Sequence, residues 1–182
     1  MVNGKPTFST KKLSVAAMLA SAAIIMHAVE SLLPPLMLGV PVRLGLANIF
    51  TLAAIMLLGA PYAAAIAVLR CIVASLIAGT VSQLPYSLAG AILALFAMLA
   101  LNGLRKQGVI SAVGQSVFGA FAFNLGQLAV GVAIAGKAML FYFTPMSLLS
   151  IPTGIFTGLI AHYISIILQK DPNFNGKQHQ KG

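Results

Sequence analysis

The polar residues that could do chemistry in this chain are few, and they recur at short spacings within apolar sequence. His27 and Glu30 are three residues apart, and so are Asn124 and Gln127. Such pairs share one face of a helix. Arg43 and Asn48 interrupt PVRLGLANIFTL, residues 41–52; Arg70 stands inside AIAVLRCIVAS, residues 65–75; Gln83 closely follows Gly79-Thr80. Guanidinium groups are suited to carboxylates and phosphates. The chain has two acids in all, Glu30 and Asp171, against eleven Lys and Arg. Glu30 can balance one of the two arginines, leaving one positive charge for an outside anion. We therefore read His27, Glu30, Arg43, Asn48, Arg70, Gln83, Asn124 and Gln127 as one ligand-lining set. Arg43 and Arg70 would take the anionic part of the ligand, with Asn48, Asn124 and Gln127 orienting it. The alternative is that these groups satisfy one another, with Glu30 paired to an arginine and the amides tying helices together.

The elements that must position this set are membrane helices. Of 182 residues, 59% are apolar and 7% are charged, with a mean hydropathy of +0.99. Six apolar stretches approach or exceed the roughly 18 to 20 residues that cross a bilayer. They run at about 13–33, 43–58, 61–80, 84–103, 109–135 and 146–168, the second being short. The first follows Lys11 and Lys12 and contains Ala20-Ser21-Ala22, as a signal peptide would, but its apolar run is too long for one. The expectation is an all-α bundle of six transmembrane helices over 13–168, with a tail at 1–12 and a basic tail at 169–182.

An even number of spans puts both tails on one side. Eight of the eleven cations (Lys5, Lys11, Lys12, Arg105, Lys106, Lys170, Lys177, Lys181) fall in the tails and the loop after the fourth stretch, leaving Arg43, Arg70 and Lys137. The positive-inside rule makes both tails cytoplasmic, in the cell membrane. On that topology His27 and Glu30 lie near the outer end of helix 1. Arg43 lies at the outer rim of helix 2, with Asn48 about 7 Å deeper. Arg70 is about 14 Å along helix 3, near the bilayer centre. An arginine there costs about 2.5–3.5 kcal/mol on insertion scales and marks a pathway, a partner or a ligand. The net charge of +9 reflects this topological bias, with some attraction to anionic lipid, and implies no nucleic-acid partner.

Other chemistries are excluded. Two carboxylates at opposite ends of the membrane form neither a two-metal site nor an acid/base pair. No His, Cys, Asp and Glu cluster has metal-site spacing, and no cofactor is implied. Gly131 to Ala138 nearly spells a phosphate-binding loop, but Ala138 lacks the hydroxyl that holds Mg²⁺, and the run ends a membrane helix. The chain is read as no enzyme. Cys71 is a packing residue that can form no internal disulfide, and His162 and Tyr163 are read as packing groups. Small residues recur at Ala16, Ala20 and Ala23, beside Ala17 and Ser21, and again at Gly154 and Gly158; they allow close helix contact, inside the bundle or with another membrane protein.

RLGLANIFTLAAIMLLG, LRCIVASLIAGT, SLAGAILAL and FGAFAFNLGQLAVG together resemble the Gx transporter family, often labelled heptaprenyl diphosphate synthase component I, over roughly residues 12–168. That family is similar to the substrate-binding S components of energy-coupling factor (ECF) transporters. The resemblance implies a six-helix subunit that captures a small molecule at its outer face. It would work with a membrane coupling subunit and a pair of cytoplasmic ATPases. It also implies a docking motif on helix 1, matched by Ala16 and Ala20. The family's label links it to polyprenyl or quinone precursors. Prenyl diphosphate synthesis runs on aspartate-rich Mg²⁺ motifs, and the single aspartate here leaves only an accessory role in that chemistry. A self-contained carrier is disfavoured by the lack of an inverted repeat.

Overall fold

The computed structural model describes residues 10–32 and 43–170, and the described chain is all-α. Six α-helices follow in order: α1 Thr10–Leu32, α2 Asn48–Leu57, α3 Ala60–Ile77, α4 Leu84–Lys106, α5 Ala112–Ala135 and α6 Phe143–Lys170. Short 3-10 turns, Val81–Gln83 and Lys137–Tyr142, lead into α4 and α6. Five segments are long and apolar enough to cross a membrane, built on every helix but α2. α1 and α6 reach into the segments assigned to the tails; the rest of both tails, with Lys5, Asp171, Lys177 and Lys181, lies outside the described residues.

Helix 2 corrects the expectation of a span over 43–58. Its ten residues rise about 15 Å, half the hydrocarbon thickness. Residues 43–47 are not helical, because the backbone turns at Gly45, whose φ is +75°. That conformation suits glycine. A Cβ there would also lie 2.9 Å from Asn48 Nδ2 and 3.0 Å from the Phe123 ring. Arg43 therefore sits on an irregular strand of chain entering α2, not on the helix rim.

The short helix is the centre of the molecule. α2 touches all five other helices, while α1 packs on α3, α3 on α4, α4 on α5, and α5 on α6. Its Leu52, Ala53 and Ala54 are fully buried in the core with Leu19, Ala63, Ala94 and Phe123. Large apolar side chains face outward along the long helices, including Ile25, Ile77, Phe96, Phe118, Ile134 and Phe156, whereas Arg70, Gln115, Ser75 and Ser87 are buried. Burial is thus inverted with respect to a water-soluble fold, as expected where lipid is the solvent.

The α5–α6 seam is built on small residues. A Cβ on Gly154 would lie 2.5 Å from Val117 Cα, and one on Gly158 would lie 2.7 Å from Val113 Cα. Ser116 and Thr157 bridge the seam at 2.7 Å. The Gly154–Gly158 motif is accordingly a packing surface within this chain. Ala16, Ala20 and Ala23 also belong to the internal core. Ala16, Ala17 and Ala20 nevertheless line an apolar groove of about 610 Å³ between α1 and α3, with Pro61, Tyr62 and Ile66 opposite. His162 and Tyr163 are exposed on α6, which corrects the reading of them as packing groups. They occupy a helix face turned away from α5 and α2.

Candidate functional site

The break before α2 creates a problem of unpaired backbone in an apolar setting, where each unsatisfied group costs several kcal/mol. Two side chains resolve most of it. Gln127 of α5 accepts the Arg43 N–H at 3.0 Å and donates to the Arg43 carbonyl at 3.0 Å. Glu30 of α1 accepts the Gly45 N–H at 2.6 Å. Asn48, Ile49 and Phe50 donate back to Gly45, Leu46 and Ala47, closing the first turn of α2.

Held in this way, Arg43 turns its side chain into the bundle, where it is 4% exposed. Its Nη2 donates to Gln83 Oε1 at 2.8 Å and to Thr80 Oγ1 at 3.1 Å, and its Nη1 meets His27 Nε2. Arg70 is 1% exposed. Its Nη2 donates to Asn48 Oδ1 at 2.7 Å, and its Nη1 lies 3.5 Å from His27 Nδ1. The Nε of each arginine and the Nδ2 of Asn48 are buried without a partner. Every side-chain acceptor named for the two guanidiniums is neutral.

The His27 ring, also 1% exposed, therefore stands between two guanidiniums. A neutral imidazole has one lone-pair nitrogen and one N–H, so it can accept from only one of them. With Nε2 accepting from Arg43, Nδ1 carries the proton and faces the Arg70 Nη1 donor to donor. Arg70 is then left with an N–H that no protein acceptor takes, beside its unpaired Nε. The site holds more donors than acceptors. Its positive potential is reinforced by the N-terminus of α2, the positive end of that helix dipole.

Seven of the eight residues anticipated from the sequence converge here: His27, Glu30, Arg43, Asn48, Arg70, Gln83 and Gln127. Two have roles other than those expected. Gln127 was expected to orient a ligand, but both polar ends of its amide are committed to the Arg43 backbone. Glu30 was expected to line the ligand, and its carboxylate anchors the Gly45 N–H. Asn124 is not joined to the network: its Nδ2 donates to the Met146 carbonyl at 2.8 Å and to Ser150 Oγ at 2.9 Å on α6. Its place on α5, one turn from Gln127, faces it toward a different neighbour.

Thr80 was missed, although its position three residues before Gln83 in the same turn was a usable signal. Thr51 was missed too; it is wholly buried one turn beyond Asn48, with an unpartnered Oγ1. Among the described residues, no group of three or more His, Cys, Asp or Glu could hold a metal. Cys71 is buried between α3 and α4, 3.6 Å from the Ser87 carbonyl. Gly136, with φ +85°, ends α5 inside the near-match to a phosphate loop, and the element leading into it is a helix where such a loop follows a strand.

A family model described as heptaprenyl diphosphate synthase component I matches residues 19–164. No curated protein and no solved structure matches the chain. The matched region reaches into all six helices and contains the whole polar network. With most of its length covered, the chain belongs to the Gx transporter family, that of heptaprenyl diphosphate synthase component I.

Proposed function

We propose that this protein is a membrane-embedded binding subunit that captures a small anionic or amphipathic molecule at the outer face, in the manner of an ECF S component. The observation that carries the reading is the His27 ring set between two buried guanidiniums, with too few acceptors to serve them. Burying a cation without an acceptor is unfavourable, and an anion entering the site supplies the missing acceptors. A polyprenyl or quinone precursor has suitable chemistry, an acidic or oxygen-rich head on an apolar body. The half-length α2 adds support, since discontinuous helices commonly present their N-termini to anionic substrates in transport proteins.

The partners in this reading are a membrane coupling subunit and a cytoplasmic ATPase pair. The apolar groove between α1 and α3, floored by Ala16 and Ala20, is the surface we assign to the coupling subunit. Both tails are cytoplasmic and all six helices lie in the cell membrane, α2 entering it from the outer side. The chain performs no chemistry itself.

Native mass spectrometry of the gently solubilised protein tests this directly. The wild type should retain a small acidic molecule that Arg70→Gln loses while still inserting and eluting as a single species. Removing one member of a buried charged network typically costs 2–5 kcal/mol, so affinity should fall by about 30-fold or more. Equal retention by both forms overturns the proposal. The family description favours a second reading, a non-catalytic membrane accessory of heptaprenyl diphosphate or menaquinone biosynthesis. Recovery with a soluble Asp-rich synthase supports that reading, and recovery with an ATPase pair and coupling subunit supports import.

A further inference from the structure

Resting on the anion-capture reading, we infer that the site selects a ligand whose head group carries a single negative charge, a carboxylate or a phosphodiester, and discriminates against a diphosphate. The inference comes from counting charge inside the site. Arg43 and Arg70 supply two positive charges, both buried. Glu30 is the one carboxylate among the described residues, and it is 6% exposed. Two buried guanidiniums in the same network favour its charged form, and it accepts the Gly45 N–H at 2.6 Å. Glu30 is therefore counted as ionised. His27 lies between two guanidiniums, which disfavour a third positive charge, and is counted as neutral. One positive charge remains.

The geometry of the free donors agrees with that sum. The N–H groups without a partner are the Nε atoms of Arg43 and Arg70 and the Nδ2 of Asn48, and the Arg70 Nη1 has only a 3.5 Å contact with His27 Nδ1. Two Nε–H groups, one amide NH₂ and one Nη1–H are about what the lone-pair sites of a single carboxylate can serve. A diphosphate would bring two or three charges and many more acceptor sites to a network whose one acidic neighbour, Glu30, would repel it. Excess charge buried without a counter-ion is strongly unfavourable.

The test compares two probes with one hydrocarbon tail, geranoic acid and geranyl diphosphate. Binding to the full chain in nanodiscs is measured by equilibrium dialysis, with binding to empty discs subtracted. The wild type should bind geranoate at least about tenfold more tightly than the diphosphate. Glu30→Gln keeps an oxygen for the Gly45 N–H and raises the count to two, so the preference should shift toward the diphosphate by about tenfold. Asn48→Asp lowers the count to zero and should abolish geranoate binding.

A wild-type preference for the diphosphate, or a ratio unmoved in Glu30→Gln, overturns the monoanion inference while leaving anion capture standing. Absence of binding by both probes overturns the capture reading itself, and this inference with it. The wild-type ratio requires no variant to fold.

Discussion

Gln127 illustrates how a polar residue can serve a binding site without touching the ligand. Its amide occupies the N–H and the carbonyl of Arg43 together, replacing the hydrogen bonds that a continuous helix would have provided. Gln127→Ala leaves both groups buried and unpaired, at about 1–3 kcal/mol each. The expected result is a clear fall in melting temperature, with loss of anion binding because Arg43 is no longer aimed. Gln127→Glu keeps the acceptor and loses the donor, so thermal unfolding should place it between the other two forms. An unchanged melting temperature in Gln127→Ala would show that the segment before α2 is held by other contacts. Arg43 and Arg70 differ in the same light: Arg43 is positioned through its backbone, whereas Arg70 is carried by a regular helix.

At the scale of elements, two of the bundle's helix contacts differ in kind. The α5–α6 seam is closed by Gly154 and Gly158 against the backbone of α5, and its polar ties are Ser116–Thr157 and Asn124–Ser150. Val117 Cα cannot move aside as a side-chain tip could, so Gly154→Ala must push the helices apart. A destabilisation of about 1–3 kcal/mol is expected, read from thermal unfolding in detergent. Because α5 carries Gln127, the same substitution should weaken anion binding without altering any residue of the network. The α1–α3 contact is looser and leaves the apolar groove open. Pro152, inside α6, is tolerated because membrane helices recover the lost bond locally.

At the scale of the whole molecule, orientation is the property that gives the site its meaning. The outer end of the bundle, as assigned from the cations, carries Lys137, and the opposite end carries Arg105, Lys106 and Lys170. Cysteine labelling can check this, since the native Cys71 is fully buried and can be replaced by alanine to leave a clean background. In intact cells a membrane-impermeant maleimide should modify Lys137→Cys, and should reach Lys106→Cys only after permeabilisation. The reverse pattern would place the arginine network at the cytoplasmic side and turn capture from outside into capture from within.

Read alone, the sequence determined the solvent, the family and most members of the polar set. Hydropathy and the scarcity of acids depend on composition, and composition survives any folding. It also determined the sign of the surplus charge, since two arginines and one nearby acid do not balance in any arrangement. Tertiary structure decided what each polar group does. Helix 2 looked continuous because Leu44 to Leu57 is apolar but for Asn48 and Thr51, and nothing local showed that Gly45 would take a positive φ and halve it. Gln127 and Arg43 are 84 residues apart and Arg70 and Asn48 are 22 apart, so their pairing is a property of helix packing. In helices apolar on every face, periodicity carries little record of which side meets the core. The placement of Asn124 toward α6 and of His27 between two guanidiniums was therefore settled by packing around a half-length helix.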